Sequence, residues 1–96
     1  MDITVSCNDS NLESEVKEYT HQVFEQIQSI SPSGSIITLS FTSFDNGVTL
    51  DVQVESNELR ISKKFRARSM FVAIDRAVGM LRQDLQAWWH HRHSYA

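Results

Sequence analysis

The chain has little of what special architectures need: one cysteine, Cys7, one proline, Pro32, and three glycines among 96 residues. A lone cysteine excludes a disulfide framework and a cysteine-based zinc pattern. Alternating with Ile3 and Val5, it reads as a small core residue rather than a reactive thiol. There is no Gly-rich phosphate loop, no His-x-x-x-His and no Gly-x-Ser-x-Gly, so the common nucleotide, zinc and serine-nucleophile signatures are missing. No stretch approaches the roughly 20 apolar residues of a membrane span. The opening MDITVSCNDS lacks the basic-then-apolar order of a signal peptide, so the chain reads as cytoplasmic. At 41% hydrophobic residues, the length suits one domain over residues 1–96, burying only about 60–65% of its unfolded surface. No internal repeat or interior linker interrupts it.

Positive charge is also scarce, but only in the first part of the chain. Residues 1–59 hold ten acids and one base, Lys17, a net of −9, whereas residues 60–96 hold eight bases against Asp75 and Asp84, a net of +6. The overall charge of −3 therefore hides two opposite ends. The segment RISKKFRARS gathers Arg60, Lys63, Lys64, Arg66 and Arg68 within nine positions. Such a cluster creates a local field able to attract a polyanion. It equally suits a solvated strand end, since charged edge residues protect sheets from edge-to-edge pairing.

Periodicity places these charges. ITVSC alternates with the period of a short half-buried strand. Leu12, Val16, Tyr19, Val23, Ile27 and Ile30 then recur at spacings of three or four, one stripe of a helix. Ser10 and Glu13 resemble a capping box at its start, and Pro32 and Gly34 mark its end. Two further strands follow, with Ile37, Leu39 and Phe41, then Val48, Leu50, Val52 and Val54, each on one side. Between them Asn46-Gly47 predicts a tight hairpin with positive φ at both central residues. A turn at Ser56-Asn57 leads to a fourth strand with Leu59, Ile61 and Phe65 inward and Arg60, Ser62 and Lys64 outward. Ser69 is a candidate N-cap for a last helix running to about residue 90, with a stripe of Phe71, Ile74, Val78, Leu81, Leu85 and Trp88. The predicted class is α+β, in the order β-α-β-β-β-α. Two helices cover one face of a four-stranded sheet, and the other face stays polar.

In this order, ITVSCNDSNLESEVKEY, LDVQVESNELRISKK and SMFVAIDRAVGMLRQDL resemble the ribosome hibernation-promoting and ribosome-associated translation-inhibitor family, also described as sigma-54 modulation proteins. The likeness runs from Ile3 to about residue 90. Its most specific piece is Met70-Phe71-x-Ala73-Ile74-Asp75 followed by Leu81 and Leu85. The resemblance implies a non-enzymatic protein, monomeric off the ribosome, that binds the small ribosomal subunit and its rRNA and inhibits translation. It implies no cofactor, small-molecule substrate or membrane partner. It also implies a short form without the C-terminal dimerisation domain of long members. The expected RNA contacts are Arg60, Lys63, Lys64, Arg66, Arg68, Arg76 and Arg82, because closely spaced phosphates are neutralised by Arg and Lys with counterion release. The chain departs from the family pattern on the first helix, whose outer face reads Glu13, Glu15, Glu18, Gln22, Glu25 and Gln26 where members commonly carry bases. It departs again at Met80 and Gln83.

Other readings use the same residues. Double-stranded RNA-binding domains share α-β-β-β-α and a basic cluster before the last helix, but lack a leading strand and use their first helix in the minor groove. An acidic first helix suits that role badly, and suits instead a protein-interaction module docking a basic partner. For catalysis, Asp45, Asp51, Glu55 and Glu58 read as solvated face and turn residues rather than paired acids. His90, His91 and His93 invite a metal reading without a Cys or acidic partner nearby, and their protonation at mild acidity would add charge beside the basic segment. Trp88 continues the core stripe, while Trp89 is expected to cover the end of the sheet or to stack on a base or partner.

Overall fold

The alternating segments pair into one mixed sheet in this computed structural model, which describes residues 2–93. The elements are β1 (Asp2–Cys7), α1 (Ser10–Ile30), β2 (Ile36–Phe44), β3 (Gly47–Glu55), β4 (Arg60–Ala67) and α2 (Met70–His93). Strand order is β1-β2-β3-β4, with β1 parallel to β2 and the other pairs antiparallel. This is the expected β-α-β-β-β-α, α+β arrangement. The parallel pair requires a crossover, which α1 supplies. Asn8 lengthens that pair beyond β1: its side-chain amide accepts from the Ser43 N–H at 2.8 Å and donates to the Ser43 carbonyl at 3.3 Å.

The period of two commits one face of every strand to the core. Ile37, Leu39, Phe41, Val48, Leu50, Val52, Val54 and Ile61 are buried, and both helices lie over them. From α2 the face contributes Ala73, Ile74, Ala77, Val78, Leu81 and Leu85. Two expectations about the stripes need correction. Phe71 is 46% exposed and Met70 is buried in its stead; Phe71 sits on the α1 flank, edge-on to Tyr19 with ring centroids 4.9 Å apart. On α1 the most buried line is Val16, Thr20, Phe24 and Ile27, with Tyr19, Val23 and Ile30 only partly covered. A helix wedged between a sheet and a second helix buries a broad face, not a single row. The side chains of Ser10, on which the expected capping box depends, and of Leu12 lie outside the described side chains.

The predicted caps and turns are present with one change of geometry. Ser69 Oγ accepts from the Val72 N–H at 3.2 Å, capping α2. Ser56 Oγ accepts from the Glu58 and Leu59 N–H groups at 3.2 and 3.1 Å, building the β3–β4 turn. Gly34 takes φ 78° after α1, which a residue with a Cβ rarely adopts. The β2–β3 hairpin, however, pairs Phe44 with Gly47, so Asp45 and Asn46 are its central residues, and neither has positive φ. Gly47 serves instead by its lack of a side chain, since a Cβ there would lie 2.8 Å from the Ala67 carbonyl oxygen.

Trp89 covers the end of α1 rather than the sheet. Its indole N–H donates to the Ile30 carbonyl at 2.6 Å, satisfying one of the acceptors that a helix C-terminus leaves open. No helix among the described residues is long and apolar enough to cross a membrane.

Two substitutions test this core. Phe24→Ala is expected to cost about 3–5 kcal/mol in urea unfolding, well above Val23→Ala. Thr20 Oγ1 is buried with no hydrogen-bond partner, so the near-isosteric Thr20→Val should leave stability unchanged or raise it.

Candidate nucleic-acid interface

The open face of the sheet follows from register. Ser6, Ser40, Asp51 and Lys64 form one cross-strand row, and Thr42, Thr49 and Arg66 the next. Hydroxyls dominate the middle of this face and bases its β4 margin. Arg60 and Arg68 bracket β4, eight residues apart, or about 26 Å at the rise of a strand.

The structure divides the seven expected contacts. Arg60 is exposed at the far end, beside Glu55, its register partner. Lys63 pairs with Val52 and so points to the helix side, where its Nζ lies 3.9 Å from Asp84. Lys64 is on the open face, with Nζ 3.8 Å from Asp51. Both ion pairs are solvent-exposed and worth about 0–1 kcal/mol each, but they offset the charges a phosphate would meet. Arg82 turns to α1 and hydrogen-bonds Gln26 Oε1. The remaining three, Arg66, Arg68 and Arg76, come together at one end of the sheet.

That convergence has a local cause. β4 ends at Ala67 and α2 begins at Met70, so the chain reverses within two residues and lays the first turns of α2 along the strand's edge. Arg76 then donates from Nη1 to the Arg66 carbonyl at 2.9 Å. This bond satisfies a carbonyl on the outermost strand and fixes the Arg76 guanidinium at the Arg66 backbone. The three line a concavity of about 430 Å³ with Phe44, Gly47, Val48 and Val72, within the range of about 300–1,000 Å³ usual for ligand sites. No carboxylate lines it among the described residues. Two acids adjoin lining residues in sequence. Asp75 is turned toward α1, where Oδ1 accepts from the Tyr19 hydroxyl at 2.8 Å, whereas Asp45, between Phe44 and Asn46, lines with Glu15 an adjoining concavity that shares Phe44, Gly47, Val48 and Arg68.

Sequence reasoning missed Phe44, which is 51% exposed. Strand parity carries a signal for it. With Ile37, Leu39 and Phe41 inward, Phe44 falls on the open face, and its pairing with Gly47 puts an aromatic ring next to a position without a side chain. By helical spacing Val72, Arg76, Met80 and Gln83 share one flank of α2. Met80 and Gln83 are exposed there, so beyond Arg76 that flank is uncharged and the basic cluster is confined to the pocket end. The acidic side chains Glu15, Glu18 and Glu25 are exposed on α1. His90 and His91 are exposed on the last turns of α2, and His93 lies outside the described side chains. No group of three or more possible metal-ligating side chains occurs among the described residues.

Comparison with known proteins resolves the fold. No family model and no curated protein matches the sequence. Solved structures similar to this one include a ribosomal subunit interface protein from Coxiella burnetii, at 17% identity and TM-score 0.77, covering 94% of this chain and 99% of that one. Another is the Protein Y N-terminal domain from Thermus thermophilus, at 13% identity and TM-score 0.80, covering 92% and 99%. The fold is that of the ribosomal subunit interface proteins. At these identities the likeness concerns backbone architecture, and it matches the fold expected from the sequence resemblance.

Within this fold, Tyr19 of α1 links the two helices through its hydrogen bond to Asp75 of α2. Its hydrogen bond to Asp75 raises the phenol pKa above the usual 10, with smaller contributions from burial and from the Asp75 charge. The folded state thus holds this proton more tightly than the unfolded chain. The resulting stabilisation is fully present below about pH 10 and is lost as pH rises through the raised value. Urea midpoints of the wild type and Tyr19→Phe should therefore differ by a constant amount from neutral pH to about pH 9 and change relative to one another above pH 10, with the wild type losing ground.

Proposed function

We propose that this protein is a ribosome-associated translation inhibitor of the hibernation-factor type, acting in the cytoplasm without catalysis by binding rRNA of the small ribosomal subunit. The observation that carries the reading is the convergence of Arg66, Arg68 and Arg76 on one carboxylate-free concavity, in a fold it shares with a ribosomal subunit interface protein. Three arginines lining one concavity offer forked N–H donors matched to phosphate oxygens. The neighbouring hydroxyl-bearing face, with Thr42, Thr49 and Ser40, adds neutral donors of the kind that contact sugar and phosphate without reading sequence.

In this reading the seven bases are unequal. Arg66, Arg68 and Arg76 form the main contact. Lys64 and Arg60 extend it along β4, whereas Lys63 and Arg82 hold α2 in place. The protein meets its target with the β4 margin and the start of α2, and Glu15 of the acidic α1 face borders that contact through the concavity it shares with Arg68.

Co-sedimentation with isolated small subunits at low and moderate salt tests this. The wild type should bind and weaken steeply as salt rises, and changing Arg66, Arg68 and Arg76 together to Glu should abolish binding. Lys63→Glu and Arg82→Glu should lower stability more than binding. Absence of wild-type binding at low salt would refute the ribosomal reading.

A further inference from the structure

We infer that the concavity beside Phe44 is a subsite for one unstacked nucleotide of single-stranded RNA, with the base against the Phe44 ring and the phosphate against Arg66, Arg68 and Arg76. The inference rests on the ribosomal reading and narrows it from rRNA in general to a splayed-out base. Plain phosphate binding needs only the arginines. It does not account for an aromatic ring 51% exposed at the same concavity as the three arginines.

The pocket has the parts that nucleotide recognition uses. Gly47 sits in register with Phe44 and projects no side chain, so the space beside the ring stays open. A Cβ at this position would also press on the Ala67 carbonyl and come within 4.0 Å of the Arg68 Cα. The gap between ring and arginine is thus held by backbone packing, not by a mobile side chain. Val72, 43% exposed, and the buried Val48 supply further apolar wall. Arg76 commits one N–H to the Arg66 carbonyl and, with five donors on its guanidinium, retains others for a ligand. An aromatic face beside several guanidiniums is the combination that binds single strands, where stacking is tolerant of base identity. A duplex keeps its bases stacked and cannot offer one to the ring. A peptide partner would have to bring acid to three arginines as well as an apolar side chain to Phe44. Among the described residues that line this concavity there are three arginines, one amide, Asn46, and no carboxylate, which favours the polyanion.

The test is fluorescence anisotropy with a labelled ten-nucleotide single-stranded RNA and a hairpin duplex of equal length. Binding to the single strand should fall roughly 5- to 150-fold in Phe44→Ala, the range for loss of one stacked base, and equally in Phe44→Leu. Phe44→Tyr should retain wild-type affinity. The hairpin should bind more weakly than the single strand and show no dependence on Phe44. Because Phe44 is exposed, all three variants should keep the wild-type unfolding midpoint within error. Single-strand affinity unchanged in Phe44→Ala, or retained in Phe44→Leu, would overturn the subsite while leaving arginine-dependent ribosome binding intact. Failure of the wild type to bind either RNA or small subunits would overturn both readings. An acidic, leucine-bearing peptide whose binding needs Phe44, alongside RNA binding that does not, would assign the pocket to a protein partner and overturn the inference.

Discussion

The inner face of β3, where Val48, Leu50, Val52 and Val54 are all buried under the two helices, is the constraint from which the rest of the molecule follows. β3 is bonded on both sides, to β2 and β4, so its register sets theirs. Once its inner residues are committed to α1 and α2, parity sends every intervening residue to the open side. Shifting the register by one would bury Asp51 and Gln53 and expose four valine and leucine side chains, so the core enforces the pattern of the polar face.

The same parity explains why a run of bases that is continuous in sequence is not continuous in space. Arg60, Lys64 and Arg66 share the open face, yet Lys63 projects to the helix side and meets Asp84. Two cations are partly matched by carboxylates from neighbouring elements, and Arg82 braces the helix pair through Gln26. Among the described residues, arginines without a carboxylate partner gather where β4 ends, because the abrupt passage into α2 returns Arg76 to the strand it has just left. The chain's uneven charge distribution thus resolves into a small basic cluster at one end of the sheet and an acidic face on α1, whose Glu15 borders a concavity shared with Arg68.

Both helix assignments show how sequence periodicity can find an element and still misplace its centre. The spacing of Leu12, Val16, Tyr19, Val23, Ile27 and Ile30 identified α1 correctly, but Thr20 and Phe24 lie deeper. A row at three- and four-residue spacing can be drawn through either edge of a wide buried face. Phe71 likewise belongs to the helix–helix flank, where it packs on Tyr19. Asn46-Gly47 marked the hairpin, although Gly47 is required by its close approach to the Ala67 carbonyl and not by positive φ.

The sequence by itself determined the element order, the inward set of each strand, the cap at Ser69 and the concentration of cations after residue 59, because alternation, capping and charge are local in the chain. Only the tertiary structure decided which cations lie together. Arg66 and Arg76 are ten residues apart and meet through a backbone carbonyl at the sheet's edge, while Lys63 and Lys64 are adjacent and face opposite ways. It also decided that Phe44 lies beside them, since that depends on the register of a hairpin and the direction of a reversal, neither of which a linear pattern of residue types encodes.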